Sequence, residues 1–397
     1  MNGNKRENDY AYLQAKVYQM KGMVFICLLV CNYSFGQIVK LKPGNIKPGF
    51  ISLTRFDISR PAVQEQPLSD KGRIIQVNIW YPSAGDSKRM HFADYIKLVG
   101  KELDTSFANK NPEQKGIDKY FEWPASLGAD KKKFISFLTN KIPMQAYENA
   151  KKLKQKYPLV MLVHGFAADH AYLAEYLAGN GYVVMQVPVK GTTNYELDYE
   201  GMGLESQVKD YEFALKIVEQ EFFFLKEKVA VLGFSFGGQS AVAMALRNKN
   251  VKALVSLDGG IGSAFGAQLL SKQPYYDAVS VTSPILHLYN PGDTYTDLKW
   301  FDNINNTNRF LGAMKNMQHG HFTSFGLLNN VVPGIMGKTE ADPGNGYETV
   351  MLLTKKFLDN FLKRDTGDTG NFFDTQKAAY SWINECIVQA KIKPLKS

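Results

Sequence analysis

Cysteine is almost missing from this chain: there are three in 397 residues, and two of them, Cys27 and Cys31, sit in an N-terminal apolar run. Beyond that run only Cys386 is left, which excludes an internal disulfide and a cysteine cluster for zinc or redox chemistry. Stability has to come from a packed core. The apolar run Met23–Cys31 is too short to cross a bilayer. No internal repeat and no low-complexity tract is present, which argues against solenoids and disordered chains. The formal charge is +9, but Lys and Arg are scattered apart from short runs such as Lys131–Lys133. Without a nucleic-acid-binding motif, that excess reads as a solvated surface and no nucleic-acid partner is expected.

What remains is a composition that is 45% hydrophobic and 21% charged, enough for one large α/β domain. Lys21, the apolar run and then Ser34, Phe35 and Gly36 have the layout of a cleaved secretory signal over residues 1–36, with the cut near Gly36. The expected product is secreted or periplasmic, has no stable membrane anchor, and forms a single domain over residues 37–397.

The mature chain opens with two strand patterns, GFISLTRFDISR (Gly49–Arg60) and RIIQVNIWYP (Arg73–Pro82), which read as an antiparallel pair. Residues 84–156 form a long excursion with helical-looking pieces at 91–103, 131–139 and 145–156, as expected of an insertion or cap. From Pro158 strands alternate with helices, which implies a mostly parallel sheet. Residues 365–397 read as a helical extension, with a helix near Gln376–Gln389. The loop over residues 189–203, with Thr192, Thr193, Tyr195 and Tyr199, lies at the carboxyl end of its strand, where pocket walls form.

The chemistry centres on KVAVLGFSFGGQSAVAMALR, residues 228–247, a strand, a Gly-Phe-Ser-Phe-Gly turn and a helix in succession. Glycines two before and two after Ser235 remove Cβ atoms where strand and helix crowd, and the bend presents the hydroxyl as a nucleophile. A serine needs a histidine to take its proton and a carboxylate to orient the ring. In an α/β-hydrolase the order is serine, acid, histidine. MQHGHFTSF supplies the base from His319 or His321; two residues apart, the pair could also share a face as metal ligands, but no acid or cysteine lies close by in sequence. Two acids fit: Asp258 at the end of ALVSLDGG and Asp293 in HLYNPGD. The backbone amides of Phe236 and Phe166 are the expected oxyanion donors. His164, in the same loop as Phe166, reads as a structural hydrogen-bonding residue.

The segments GFSFGGQSAV, LVMLVHGFAAD, LDGG and HGHFTSF resemble the platelet-activating-factor acetylhydrolase group, related to dienelactone hydrolases. FDISRP and VNIWYP are similar to its exported bacterial members. The resemblance spans about Gly49 to Lys363, with gaps in the excursion. It implies an α/β-hydrolase fold with Asp258 as the acid, His319 (with Phe322) as the base, and Phe166 and Phe236 as oxyanion donors. It implies no cofactor or metal, and a small-molecule carboxylic ester hydrolysed through an acyl-enzyme. Phe234 and Ser324 depart from the family pattern, which has His and Asp there. A serine at the nucleophile position also speaks against dienelactone chemistry, which uses cysteine.

Overall fold

The structure is a computed structural model that describes residues 38–62, 72–102, 111–192, 196–222, 224–315, 317–339, 342–364 and 371–394. The chain divides into two compact units, Met1–Lys40 and Leu41–Ser397. The expected signal segment with Cys27 and Cys31 lies outside the described residues, as do Thr193 and Tyr195 of the expected pocket loop.

The described residues of the second unit carry eleven strands: β1 (Lys47–Asp57), β2 (Arg73–Ser83), β3 (Arg89–His91), β4 (Pro143–Glu148), β5 (Tyr157–Val163), β6 (Val183–Gln186), β7 (Phe224–Phe234), β8 (Val251–Leu257), β9 (Ile285–Tyr289), β10 (Arg309–Met314) and β11 (Ile387–Lys393). They form one sheet in the order β11-β10-β9-β8-β7-β5-β6-β2-β1-β4-β3. β5 to β10 are mutually parallel, and their near-continuous apolar runs are those of strands covered on both faces. β1 and β2 pair antiparallel from Lys47↔Ser83 to Asp57↔Arg73.

The helices are α1 (Phe92–Glu102), α2 (Pro112–Ser126), α3 (Lys131–Thr139), α4 (Ala167–Gly179), α5 (Gly201–Glu221), α6 (Gly237–Arg247), α7 (Ala264–Ser271), α8 (Lys299–Asn303), α9 (Phe325–Leu328), α10 (Pro343–Leu358), α11 (Phe372–Ala379) and α12 (Ile383–Cys386). The α5 stripe Leu204, Val208, Tyr211 and Val218 is buried in the main core, as its helical spacing dictates.

The excursion departs from its sequence reading in two places. Residues 143–148 are a strand, not a helix, because Met144 and Ala146 alternate with more exposed neighbours at period two. β4 pairs with β1, and β3 with β4, so the ends of the excursion extend the sheet. α2 was not anticipated, although its signals are local: Asn111 caps Gln114 N–H at 3.1 Å, Pro112 opens the helix, and Ile117, Tyr120, Phe121 and Pro124 form its buried face. The helices pack through aromatics: Phe92 stacks on Tyr172 of α4 (5.6 Å), Phe121 on Phe134 (5.2 Å) and Tyr120 on Phe325 of α9 (4.6 Å).

The C-terminal extension is also corrected. Instead of one helix over 376–389 it has two short helices, α11 and α12, followed by β11, which pairs antiparallel with β10. Ile387, Val388 and Ile392 suit an edge strand, and Lys391 and Lys393 guard it against further pairing. Cys386, just before it, is buried and in no disulfide among the described residues.

Glu102 and Glu175 are buried and Asp169 is half-buried. Glu102 accepts from Asn78 Nδ2 (2.7 Å), Glu175 accepts from Tyr95 Oη (2.7 Å), and Asp169 accepts from Phe166 N–H (2.7 Å). Burial pushes them up to about 8, 7 and 7 respectively. A raised acid holds its proton in the folded chain after the unfolded chain has lost it, so stability falls as pH rises toward the folded value. His170, His287 and His321, each lowered to about 4 by burial, act in the opposite direction and only below their unfolded value near 6.5. Glu102→Gln should therefore gain melting temperature relative to wild type as pH goes from 5 to 8, by roughly 5 °C. Scanning calorimetry of both chains across that range checks this; a constant difference would contradict the assignment.

Candidate active site

The turn between β7 and α6 holds Ser235 at φ +54, a left-handed backbone that costs a non-glycine residue about 1–3 kcal/mol. Crowding explains the flanking glycines. A Cβ on Gly233 would lie 2.0 Å from Gly237 O, and one on Gly237 would lie 2.4 Å from Val163 O. The bend is clamped by backbone bonds: Ser235 N–H donates to Leu257 O (3.2 Å), and Ser235 O accepts from Gly238 N–H (3.0 Å) and Gly260 N–H (2.9 Å).

β8, the next strand along the sheet, ends in Asp258, also left-handed at φ +44. Its Oδ1 accepts from Asn290 N–H at 2.8 Å, which fixes the carboxylate against the end of β9. Its Oδ2 lies 2.6 Å from His319 Nδ1, and His319 Nε2 lies 2.9 Å from Ser235 Oγ. The chain Asp258, His319, Ser235 is therefore continuous, with the carboxylate only 7% exposed and the imidazole 35%. The structure brings these three together out of the candidates in the sequence.

The alternatives are placed elsewhere. Asp293 lines the adjoining cavity, but its Oδ1 accepts from Tyr295 N–H (2.9 Å), capping its own turn. His321 is buried with Nδ1 accepting from Gln318 N–H (3.0 Å), so it does not pair with His319. No group of three His, Cys, Asp or Glu suited to a metal occurs among the described residues.

Of the two expected oxyanion donors, Phe236 directly follows Ser235 at the start of α6 and lines the cavity. Phe166 is arranged differently from expectation. Its N–H donates to Asp169 Oδ2, while Gly165 O accepts from Gln186 Nε2 (2.7 Å) and His164 O lies 2.9 Å from His170 Nε2. These backbone groups of the β5–α4 turn are thus engaged within the protein, while the ring Nδ1 of His164 has no partner. A side chain three residues ahead competes for the amide, a contact that motif spacing does not reveal. His164 itself is half-buried at φ +83, and desolvation of its ring lowers its pKa to about 3.

Two aromatic neighbours of His319 were not assigned roles from sequence. Phe234 stacks on the imidazole (4.7 Å, 27°), and Trp123 of α2 lies at 6.1 Å on another side. Phe234 stands at one of the two departures from the family pattern. Trp123 lies in the excursion and has no local signal at all. A cavity of about 1020 Å³ adjoins Ser235 and His319, with Tyr199, Phe265 and Tyr295 at its rim.

This architecture is the α/β-hydrolase fold, a mostly parallel sheet with antiparallel pairs at its edges. A ferulic acid esterase from Streptomyces cinnamoneus superposes with a TM-score of 0.57 over 82% of this chain and 93% of that one, at 20% identity. The model of the prolyl oligopeptidase family matches residues 168–265. Dipeptidyl aminopeptidase BIII of Pseudoxanthomonas mexicana is 28% identical over 149 residues, 35% of this chain and 21% of that protein. The chain thus spans about a fifth of that relative's length.

Replacing Gly237 by Ala should destabilise the fold by roughly 3 kcal/mol or more, because the Cβ meets backbone that cannot yield. Urea unfolding checks this; a loss below about 0.5 kcal/mol would show that the turn is looser than its geometry implies.

Proposed function

We propose that the protein is a serine hydrolase that cleaves a carboxylic ester through an acyl-enzyme. The observation that carries the proposal is the unbroken 2.6 Å and 2.9 Å hydrogen-bond chain from Asp258 through His319 to Ser235. In this reading His319 Nε2 takes the Ser235 proton as Oγ attacks the ester carbonyl. Asp258 holds the ring by Nδ1 and stabilises the imidazolium. The tetrahedral oxyanion is received by the Phe236 amide and by the Phe166 amide, which exchanges Asp169 for the substrate. On collapse His319 returns the proton to the leaving alcohol; water then enters by the same route and releases the acid. No cofactor takes part.

A peptidase is the second reading, favoured by the match of residues 168–265 to the prolyl oligopeptidase family. That match contains Ser235 and Asp258 but stops well short of His319 and of α2. The resemblance to the platelet-activating-factor acetylhydrolase group takes in Ser235, Asp258 and His319, with gaps in the excursion that holds α2, and it supports the ester. We propose export as well, on the signal-like layout of residues 1–36. A chain recovered outside the cytoplasm with a first residue near Gln37 is the expected outcome, and an intact N-terminus there would contradict it.

A fluorophosphonate probe should label Ser235 in the wild type and nothing in Ser235→Ala; equal labelling of the two removes the proposal. Asp258→Asn should lower kcat on an acetyl ester by about 10⁴, because the wrong tautomer is then favoured. Asp293→Asn should stay within about two-fold, as its carboxylate only caps a turn. Acetyl esters and aminoacyl-amides compared on one preparation separate the two readings, and faster amide cleavage decides for the peptidase.

A further inference from the structure

Two hydrogen bonds hold the imidazole of His319 by its edge. Asp258 Oδ2 lies 2.6 Å from Nδ1, and Ser235 Oγ lies 2.9 Å from Nε2. Neither bond fixes the tilt of the ring about the line that joins them. A flat neighbour against the face of the ring does, and Phe234 is such a neighbour: the two centroids are 4.7 Å apart with 27° between the planes. Trp123 stands farther off, at 6.1 Å and 52°, at the limit of about 6 Å within which a ring face attracts a cation.

Phe234 is itself held in place. It is the last residue of β7, next to Ser235 in the chain, and is 5% exposed. Besides His319, two more imidazoles surround its ring: His170 meets it edge-on (5.8 Å, 68°), and His164 lies at 6.2 Å, tilted by 46°. Both of these are neutral near pH 7, since desolvation lowers His164 to about 3 and His170 to about 4. His319 is paired with Asp258 and is the imidazole that takes the serine proton.

The face of a phenyl ring carries the negative part of its quadrupole, so it attracts a cation, whereas a neutral imidazole only stacks on it. In turnover His319 is neutral before Oγ attacks and positive in the tetrahedral state. The attraction is therefore gained between ground state and transition state, the condition under which an interaction raises kcat and does not tighten substrate binding.

We infer that Phe234 is a positioning residue of the reaction: its ring sets the tilt of His319 and stabilises the imidazolium through which acylation and deacylation both pass. The inference rests on the hydrolase reading of the same site.

Two kinds of replacement test it in the full chain. Phe234→Leu keeps an apolar side chain and removes the ring. Mono-, di- and trifluorinated phenylalanine introduced at position 234 keep the ring close to its shape and weaken its negative face step by step. On an acetyl ester, kcat should fall about ten-fold in Phe234→Leu, and by a growing factor along the fluorinated series, with KM within about two-fold throughout. A ring that only filled space would leave kcat the same across that series. A flat series overturns the inference, as does a Phe234→Leu chain as active as the wild type. A loss carried by KM instead of kcat overturns it too, because the ring would then be acting on the substrate. If Phe234→Leu does not fold, the fluorinated series decides alone. A wild type that neither turns over the ester nor takes up the fluorophosphonate removes the hydrolase reading and the inference with it, whereas an active wild type with a flat series removes the inference only.

Discussion

The constraint on which the site depends is the left-handed backbone at Ser235. A serine stays at φ +54 only where its surroundings leave it no other choice. Here Gly233 and Gly237 allow α6 to start on top of β7 and against the end of β5, and Ser235 O is tied to both Gly238 and Gly260. The bond to Gly260 matters beyond the turn, because it locks the elbow to the segment that follows Asp258. Nucleophile and acid positions are thus set by one backbone connection between neighbouring strands, before any side chain meets another. The left-handed conformation at Asp258 then turns its carboxylate toward both Asn290 and His319.

His319 enters from further along the chain and needs its own support. Asp258 fixes one edge of the ring, Phe234 covers a face, and Trp123 approaches from α2. The excursion therefore contributes to the chemistry through one side chain held on an aromatic stack, Tyr120 on Phe325 and Phe121 on Phe134. The acids Glu102, Asp169 and Glu175 sit among the same helices. The neutral forms that burial favours there need no counter-charge, which lets α1 and α4 pack closely behind the site.

What could be read from sequence divides along physical lines. The parallel strands and the β1–β2 pair were legible because apolar runs and period-two alternation are local consequences of burial. Ser235 was nameable because the turn imposes glycines at fixed spacing, while chain order narrowed the partners only to Asp258 or Asp293 and to His319 or His321; the choice of Asp258 and His319 came from the family resemblance. Residues 145–148 and 387–389 were misread as helix, since short apolar segments at sheet edges carry no periodicity strong enough to overrule a helical neighbour. The engagement of Phe166 by Asp169 and the contact of Trp123 with His319 depend on how the chain folds back on itself. No spacing rule encodes them.

That division also bears on how the comparisons weigh against one another. The segment shared with the prolyl oligopeptidase family, residues 168–265, carries α4, β6, α5, the elbow and Asp258, which is the scaffold that every reaction on this fold must keep. A peptide bond and an ester bond make the same demand on that scaffold: a nucleophile, a base and an oxyanion site. Discrimination between them falls to the groups that meet the leaving group and the acyl chain. Here those groups come from both sides of its boundary: Tyr199, Phe236, Gln239 and Phe265 lie within residues 168–265, and residues 287–299 and His319 lie outside it. The likeness to a peptidase therefore covers the scaffold and only part of the cavity wall.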